Sequence, residues 1–191
     1  MGAEVLSLDW ETKSVADLKV VGLRNYARHA STGIWCGAYA FNDEEPLVWL
    51  PGTPCPERIV AHVAAKLPIR AWGAPFEIQI WQQIATPRHG WPVLDMDTVF
   101  CSMSESYAMG LPGGLEDAAL ALGLSVLKDI EGRNLMLRLA RPRSRTALRP
   151  CGGRTRINTR VSAPTVNRIF GLNKPSGTAF CPFPRTNAKF N

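Results

Sequence analysis

The stretch EVLSLDWET (Glu4 to Thr12) alternates in a way that suits an extended chain. Leu6, Leu8 and Trp10 face one side, and Val5, Ser7, Asp9 and Glu11 the other. Apolar residues stand on both faces at its start, as expected of a central strand covered on both sides. GIWCGAYAF (Gly33 to Phe41) and PLVWL (Pro46 to Leu50) predict two more strands, joined as a hairpin by the polar turn Asn42 to Glu45. PERIVAHVAAKL (Pro56 to Leu67) carries Ile59, Val60, Val63 and Leu67 at helical spacing, with Pro56 suited to a first turn.

IRAW (Ile69 to Trp72) predicts a short strand, and PFEIQIWQQI (Pro75 to Ile84) a helix beginning after Gly73. WPVLDMDT reads as an extended link and TVFCSMSESYAM (Thr98 to Met109) as helical. LPGG breaks that helix. LEDAALAL (Leu115 to Leu122) comes next as a short helix closed by Gly123. IEGRNLMLRLA (Ile130 to Ala140) predicts the last helix. Strand, hairpin, helix, strand and then mainly helix is the order of an α/β protein, a mixed sheet with helices packed on it.

From Arg141 the pattern stops. The remaining residues show neither a helical period nor strand alternation, and Pro, Gly, Arg, Ser, Thr and Asn dominate them. We therefore divide the chain into a folded body, 1–140, and an irregular basic tail, 141–191. Charge respects nearly the same division. Residues 1–131 hold nine basic and sixteen acidic side chains, a net −7, and residues 132–191 hold thirteen basic side chains and no acid. The overall +6 thus describes the end of the chain and not its body.

At 191 residues one domain with a sizeable core is expected. No apolar run reaches the roughly 18 residues of a membrane span, and no secretory leader is visible, so no membrane partner and a cytoplasmic location are expected. The five cysteines, Cys36, Cys55, Cys101, Cys151 and Cys181, are odd in number and form no C-x-x-C pair. They read as thiols in a reducing compartment, not as a zinc site or a disulfide framework.

Chemistry concentrates at the end of the first strand. Asp9 and Glu11 project from one face and repel each other unless a cation, a proton or solvent relieves them. Hard divalent ions take such oxygen ligands; a strand running out into a polar turn has the same sequence. Glu77, in the first turn of a helix behind a second short strand, is favoured there by the helix N-terminus alone. It could also converge with the first pair if the two strands are neighbours.

Several segments in order resemble the 3′–5′ exonuclease domain of family A DNA polymerases of the phage and prophage type. These are DEDD exonucleases with a ribonuclease H-like fold. LSLDWETKSVADLKVVGLRNYA resembles the first exonuclease motif and the segment after it, STGIWCGAYAF the hairpin, and AWGAPFEIQIW the second motif. LPGGLEDAALALGL and KDIEGRNLMLRLARPR resemble the approach to the third. The resemblance covers about residues 4–145.

It implies a ribonuclease H-like mixed sheet. It makes Asp9, Glu11 and Glu77 catalytic ligands of Mg²⁺ or Mn²⁺ in a two-metal site, and Thr12 and Phe76 contacts to the terminal nucleotide. The implied activity releases nucleoside monophosphates from single-stranded DNA or frayed DNA 3′ ends, with a separate polymerase polypeptide as a further partner. Thr12 and Phe76 could equally serve capping and packing.

Two departures accompany the resemblance. Gly73 stands where the family usually has Asn, and Trp72 where many of its members have His. The third motif, Y-x-x-x-D or H-x-x-x-x-D, needs an acid on a later helix, and no acid follows Glu131. The formal match YAFND (Tyr39 to Asp43) precedes the second motif and is read as chance. The abrupt change near residues 141–150 is expected to mark a reading-frame disruption, with a basic nucleic-acid-binding arm as the alternative. A catalytically inactive nucleic-acid-binding remnant and a non-functional fragment are the rival readings to an impaired exonuclease.

Overall fold

The computed structural model describes residues 2–124. The helix expected over residues 130–140, the tail and the division at 140 lie outside the described residues. Five strands form one mixed sheet in the order β3-β2-β1-β4-β5. Helices accompany it, and the whole is a ribonuclease H-like α/β architecture. No helix among the described residues is long and apolar enough to cross a membrane.

β1 (Leu6–Lys13) lies at the centre. Leu6, Leu8 and Trp10 are buried on one face, as the alternation requires. β2 (Gly33–Phe41) runs antiparallel along all of β1, and β3 (Leu47–Trp49) completes the expected hairpin at the sheet edge. The β1–β2 register slips between Glu11 and Thr12: Glu11 faces Cys36 and Thr12 faces Ile34, so Trp35 is the extra residue of a bulge.

β4 (Ile69–Ala71) runs parallel to β1 but meets it only at Leu6–Ile69 and Ser7–Arg70. Beyond that point the two strands part. The crossover from the hairpin to β4 carries the expected helix, α3 (Glu57–Ala64).

The loop after β1, for which the pattern gave no element, folds into α1 (Leu18–Val21) and α2 (Leu23–Arg28). Asp17 caps α1 by accepting from the Lys19 N–H at 3.0 Å. α4 (Ala74–Ile80) comes after β4 as expected. It continues through a π-helical turn, Trp81–Ala85, into α5 (Thr86–His89), past the expected end at Ile84. Pro87 has no N–H to return to the preceding turn, which fits a widened segment there.

The helix expected over Thr98 to Met109 is corrected. A 3₁₀ turn (Met96–Thr98) leads into β5 (Val99–Cys101), and only Ser102–Ala108 is helical, as α6. A short apolar run satisfies either period. Parallel pairing of Val99, Phe100 and Cys101 with Ile69, Arg70 and Ala71 decides for the strand. α7 (Leu115–Ala121) ends as expected, with Gly123 at φ 71°.

The core behind β1 is built on aromatic rings. Trp91 lies 4.7 Å from Trp10, 4.9 Å from Trp81 and 5.2 Å from Trp49, each pair edge to face. Gly37 stands opposite Trp10 in the ladder. A β-carbon at Gly37 would lie 2.7 Å from Trp10 Cε3 and closer still to Cζ3. The ring is held by three other indoles, which limits how far it can yield. Gly37→Ala is therefore expected to destabilise the domain by about 1–3 kcal/mol through overpacking. Thermal unfolding followed by circular dichroism checks this; an unchanged midpoint would mean that the indole cluster can move.

Candidate active site

The parting of β1 and β4 creates the site. Beyond Ser7 the edge of β1 has no β4 residue to pair with. The Trp10 N–H there is taken instead by Glu77, whose Oε2 accepts from it at 2.9 Å. Glu77 reaches this position because α4 starts soon after β4 and turns its buried face, Ala74, Glu77 and Ile80, onto the sheet. A helix side chain thus completes a strand edge. In doing so it brings the Glu77 carboxylate to the backbone between Asp9 and Glu11.

Glu11 and Glu77 both sense the Asp9 charge. Burial lifts Glu77 well above the ordinary carboxylate range, and the Asp9 charge adds to this. The hydrogen bond from Trp10 works in the opposite direction, and Glu11 contributes least. Burial and then the Asp9 charge push Glu11 up to about 8. Asp9 is raised by burial. The residue nevertheless remains exposed to solvent. Glu77 is enclosed more completely, with only 7 % of the residue exposed. The thiol of Cys36, across the ladder from Glu11, is pushed up to about 12 by burial, then by Glu11 and Asp9.

Among the described residues no lysine or arginine pairs with Asp9, Glu11 or Glu77. Three oxygen-donor carboxylates, all raised by burial and two of them also by the charge of a neighbouring acid, with no basic partner among the described residues, form a donor set suited to a hard divalent cation. The donor chemistry fits, although the side chains are not drawn together around a common point. No group of three or more His, Cys, Asp or Glu among the described residues is arranged to hold an ion. One oxygen of Glu77 is already committed to the backbone of β1.

The two residues expected to meet a nucleotide lie beside this cluster. Thr12 is 9 % exposed, and its hydroxyl is 2.8 Å from that of Tyr26. Phe76, half-buried, packs on the core, with its ring centroid 6.3 Å from that of Tyr26. Tyr26 was not singled out from the sequence, and no local pattern marks it. Cys36 could have been placed opposite Glu11 once the hairpin register was known. Gly73 is the N-cap of α4 and offers no side chain to cap it. YAFND falls on β2 and its turn, away from any later helix.

A ribonuclease H-like domain with acids at the end of its central strand defines the general class. No family model matches the chain. Over 136 residues, 70% of its length, the chain is 32% identical to the DNA polymerase of Bacillus phage SP02. It therefore contains a domain related to a DNA polymerase, and the match spans 20% of that relative's length.

The raised carboxylates dictate a pH response. A carboxyl whose folded pKa lies above its unfolded value adds stability below the unfolded pKa, about 4.5 for Glu11, and that stability is lost as pH rises through about 8. In a metal-free buffer the melting temperature is expected to fall between pH 5 and pH 8.5. Glu11→Gln, which cannot charge, is expected to melt ~3–8 °C above the parent at pH 8.5 and to flatten the profile. Identical profiles for the two proteins would show that Glu11 is not raised.

Proposed function

We propose that this chain carries a metal-dependent 3′–5′ exonuclease domain of the proofreading type, working on single-stranded or frayed DNA 3′ ends and weakened by the lack of a third-motif acid. The observation that supports it is the hydrogen bond from the Trp10 N–H that holds the Glu77 carboxylate at the strand carrying Asp9 and Glu11, with no lysine or arginine paired to any of the three among the described residues. The relationship to a phage polymerase supports DNA as the substrate class.

In this reading Asp9, Glu11 and Glu77 hold Mg²⁺ or Mn²⁺. When bound, the metal supplies a water nucleophile at neutral pH and neutralises charge on the departing 3′ oxygen. The chain's own work is positional. Asp9 stands exposed to solvent, Glu77 is fixed by the Trp10 N–H, and Thr12 with Phe76 receives the last nucleotide. Water attacks the terminal phosphodiester, and a nucleoside monophosphate leaves. Frayed ends are favoured because opening a pair costs a few kcal/mol.

A second reading rests on the thirteen basic residues and absent acids after position 131. They would let an inactive domain bind nucleic acid through phosphates, with affinity that falls steeply as salt rises.

Digestion of 5′-labelled single-stranded DNA with Mg²⁺ or Mn²⁺ tests the first reading. A ladder shortening from the 3′ end is expected, slowed at least ~100-fold in Asp9→Ala. Folded protein that yields no ladder in either ion overturns it, and salt-dependent binding that survives Asp9→Ala then favours the second.

A further inference from the structure

Tyr26 connects the two residues expected to hold the terminal nucleotide. It lies on α2, 7 % exposed, with its hydroxyl 2.8 Å from Thr12 Oγ1 and its ring 6.3 Å from Phe76 at an interplanar angle of 38°. It is anchored at its other end as well. Its carbonyl accepts from Thr32 Oγ1 at 2.6 Å, and that hydroxyl also meets Ser14 Oγ at 2.8 Å. Arg88 donates to the Thr32 carbonyl at 2.7 Å. The tyrosine is thus fixed through its backbone by the chain segments after β1 and before β2, while its ring and hydroxyl contact Phe76 and Thr12.

Two hydroxyls that share one hydrogen bond have one O–H proton to spare. The phenol is the stronger donor, so with Tyr26 donating to Thr12 the spare proton sits on Thr12, at the end of the strand that carries Asp9 and Glu11. Thr12 is then a directed donor and not a free rotor. We infer that Tyr26 is a positioning residue: it orients the Thr12 hydroxyl and backs the Phe76 ring to form the pocket for the free 3′-terminal nucleoside. This deepens the nuclease reading and rests on it.

The test measures preference for a free 3′ end as an affinity ratio between two probes of equal length; the added charge of a 3′ phosphate acts on parent and variants alike, so each variant is judged by the change of that ratio from the parent. Fluorescein-labelled oligothymidylates ending in a 3′ hydroxyl or a 3′ phosphate are titrated with the full chain in EDTA, and the affinity ratio is read by anisotropy. The parent is expected to favour the 3′ hydroxyl. Tyr26→Phe keeps the ring and is expected to lower that ratio about three- to tenfold with little change in melting temperature. Thr12→Val should lower it equally, Thr12→Ser should retain it, and Tyr26→Phe combined with Thr12→Val should lose no more than either alone. In the cleavage assay Tyr26→Phe should raise KM while leaving kcat nearly unchanged. A parent with no preference overturns the inference together with the nuclease reading. A parent preference that Tyr26→Phe leaves intact overturns the positioning role alone, as would losses from Tyr26→Phe and Thr12→Val that simply add.

Discussion

One hydrogen bond ties the sheet to the candidate chemistry, from the Trp10 N–H to the Glu77 carboxylate at 2.9 Å. A strand edge must satisfy its backbone donors, and β4 is too short to do so beyond Ser7. Glu77 answers that need from a helix. The consequence is electrostatic as well as structural, because satisfying this donor forces a third carboxylate beside two others. An apolar side chain at 77 would spare the repulsion and leave the N–H unpaired. A glutamine could donate and accept but would remove the charge.

The rest of the domain supports this meeting point. The four-tryptophan cluster holds Trp10 from behind, which fixes the backbone from which Asp9 and Glu11 project. The bulge at Trp35 ends the regular β1–β2 register just where Thr12 must turn toward Tyr26. The hydroxyls of Ser14, Ser31 and Thr32 then fasten the loop after β1 to the start of β2. A rigid apolar side and a polar, crowded side thus share one strand.

Much of this was legible in the chain. Leu6, Leu8 and Trp10 alternate cleanly, and Gly33 to Phe41 reads as one strand because its composition admits little else. Asp9 and Glu11 were visible because a strand's period puts them together. Val99 to Cys101 was misread because three apolar residues carry no period of their own, and their strand character comes from β4, far away in sequence. α1 and α2 were overlooked although Asp17 and Gly22 punctuate them, since each is barely a turn or two long. Tyr26 had no local signal at all. Its role comes from a fold that sets α2 against both β1 and α4.

The crowding of Asp9, Glu11 and Glu77 also bears on descent. Acids whose pKa is raised by burial and neighbouring charge oppose folding as pH rises, so replacing Asp9 or Glu11 would be a gain in stability. Drift without use should therefore erode them early, whereas Trp10 and Gly37, which serve only packing, should outlast the chemistry. Relatives with no use for the three acids are expected to carry amides or aliphatic residues at 9 and 11, and at 77 an amide that still accepts from the Trp10 N–H, around an unaltered indole core. The three acids then act as a clock for disuse.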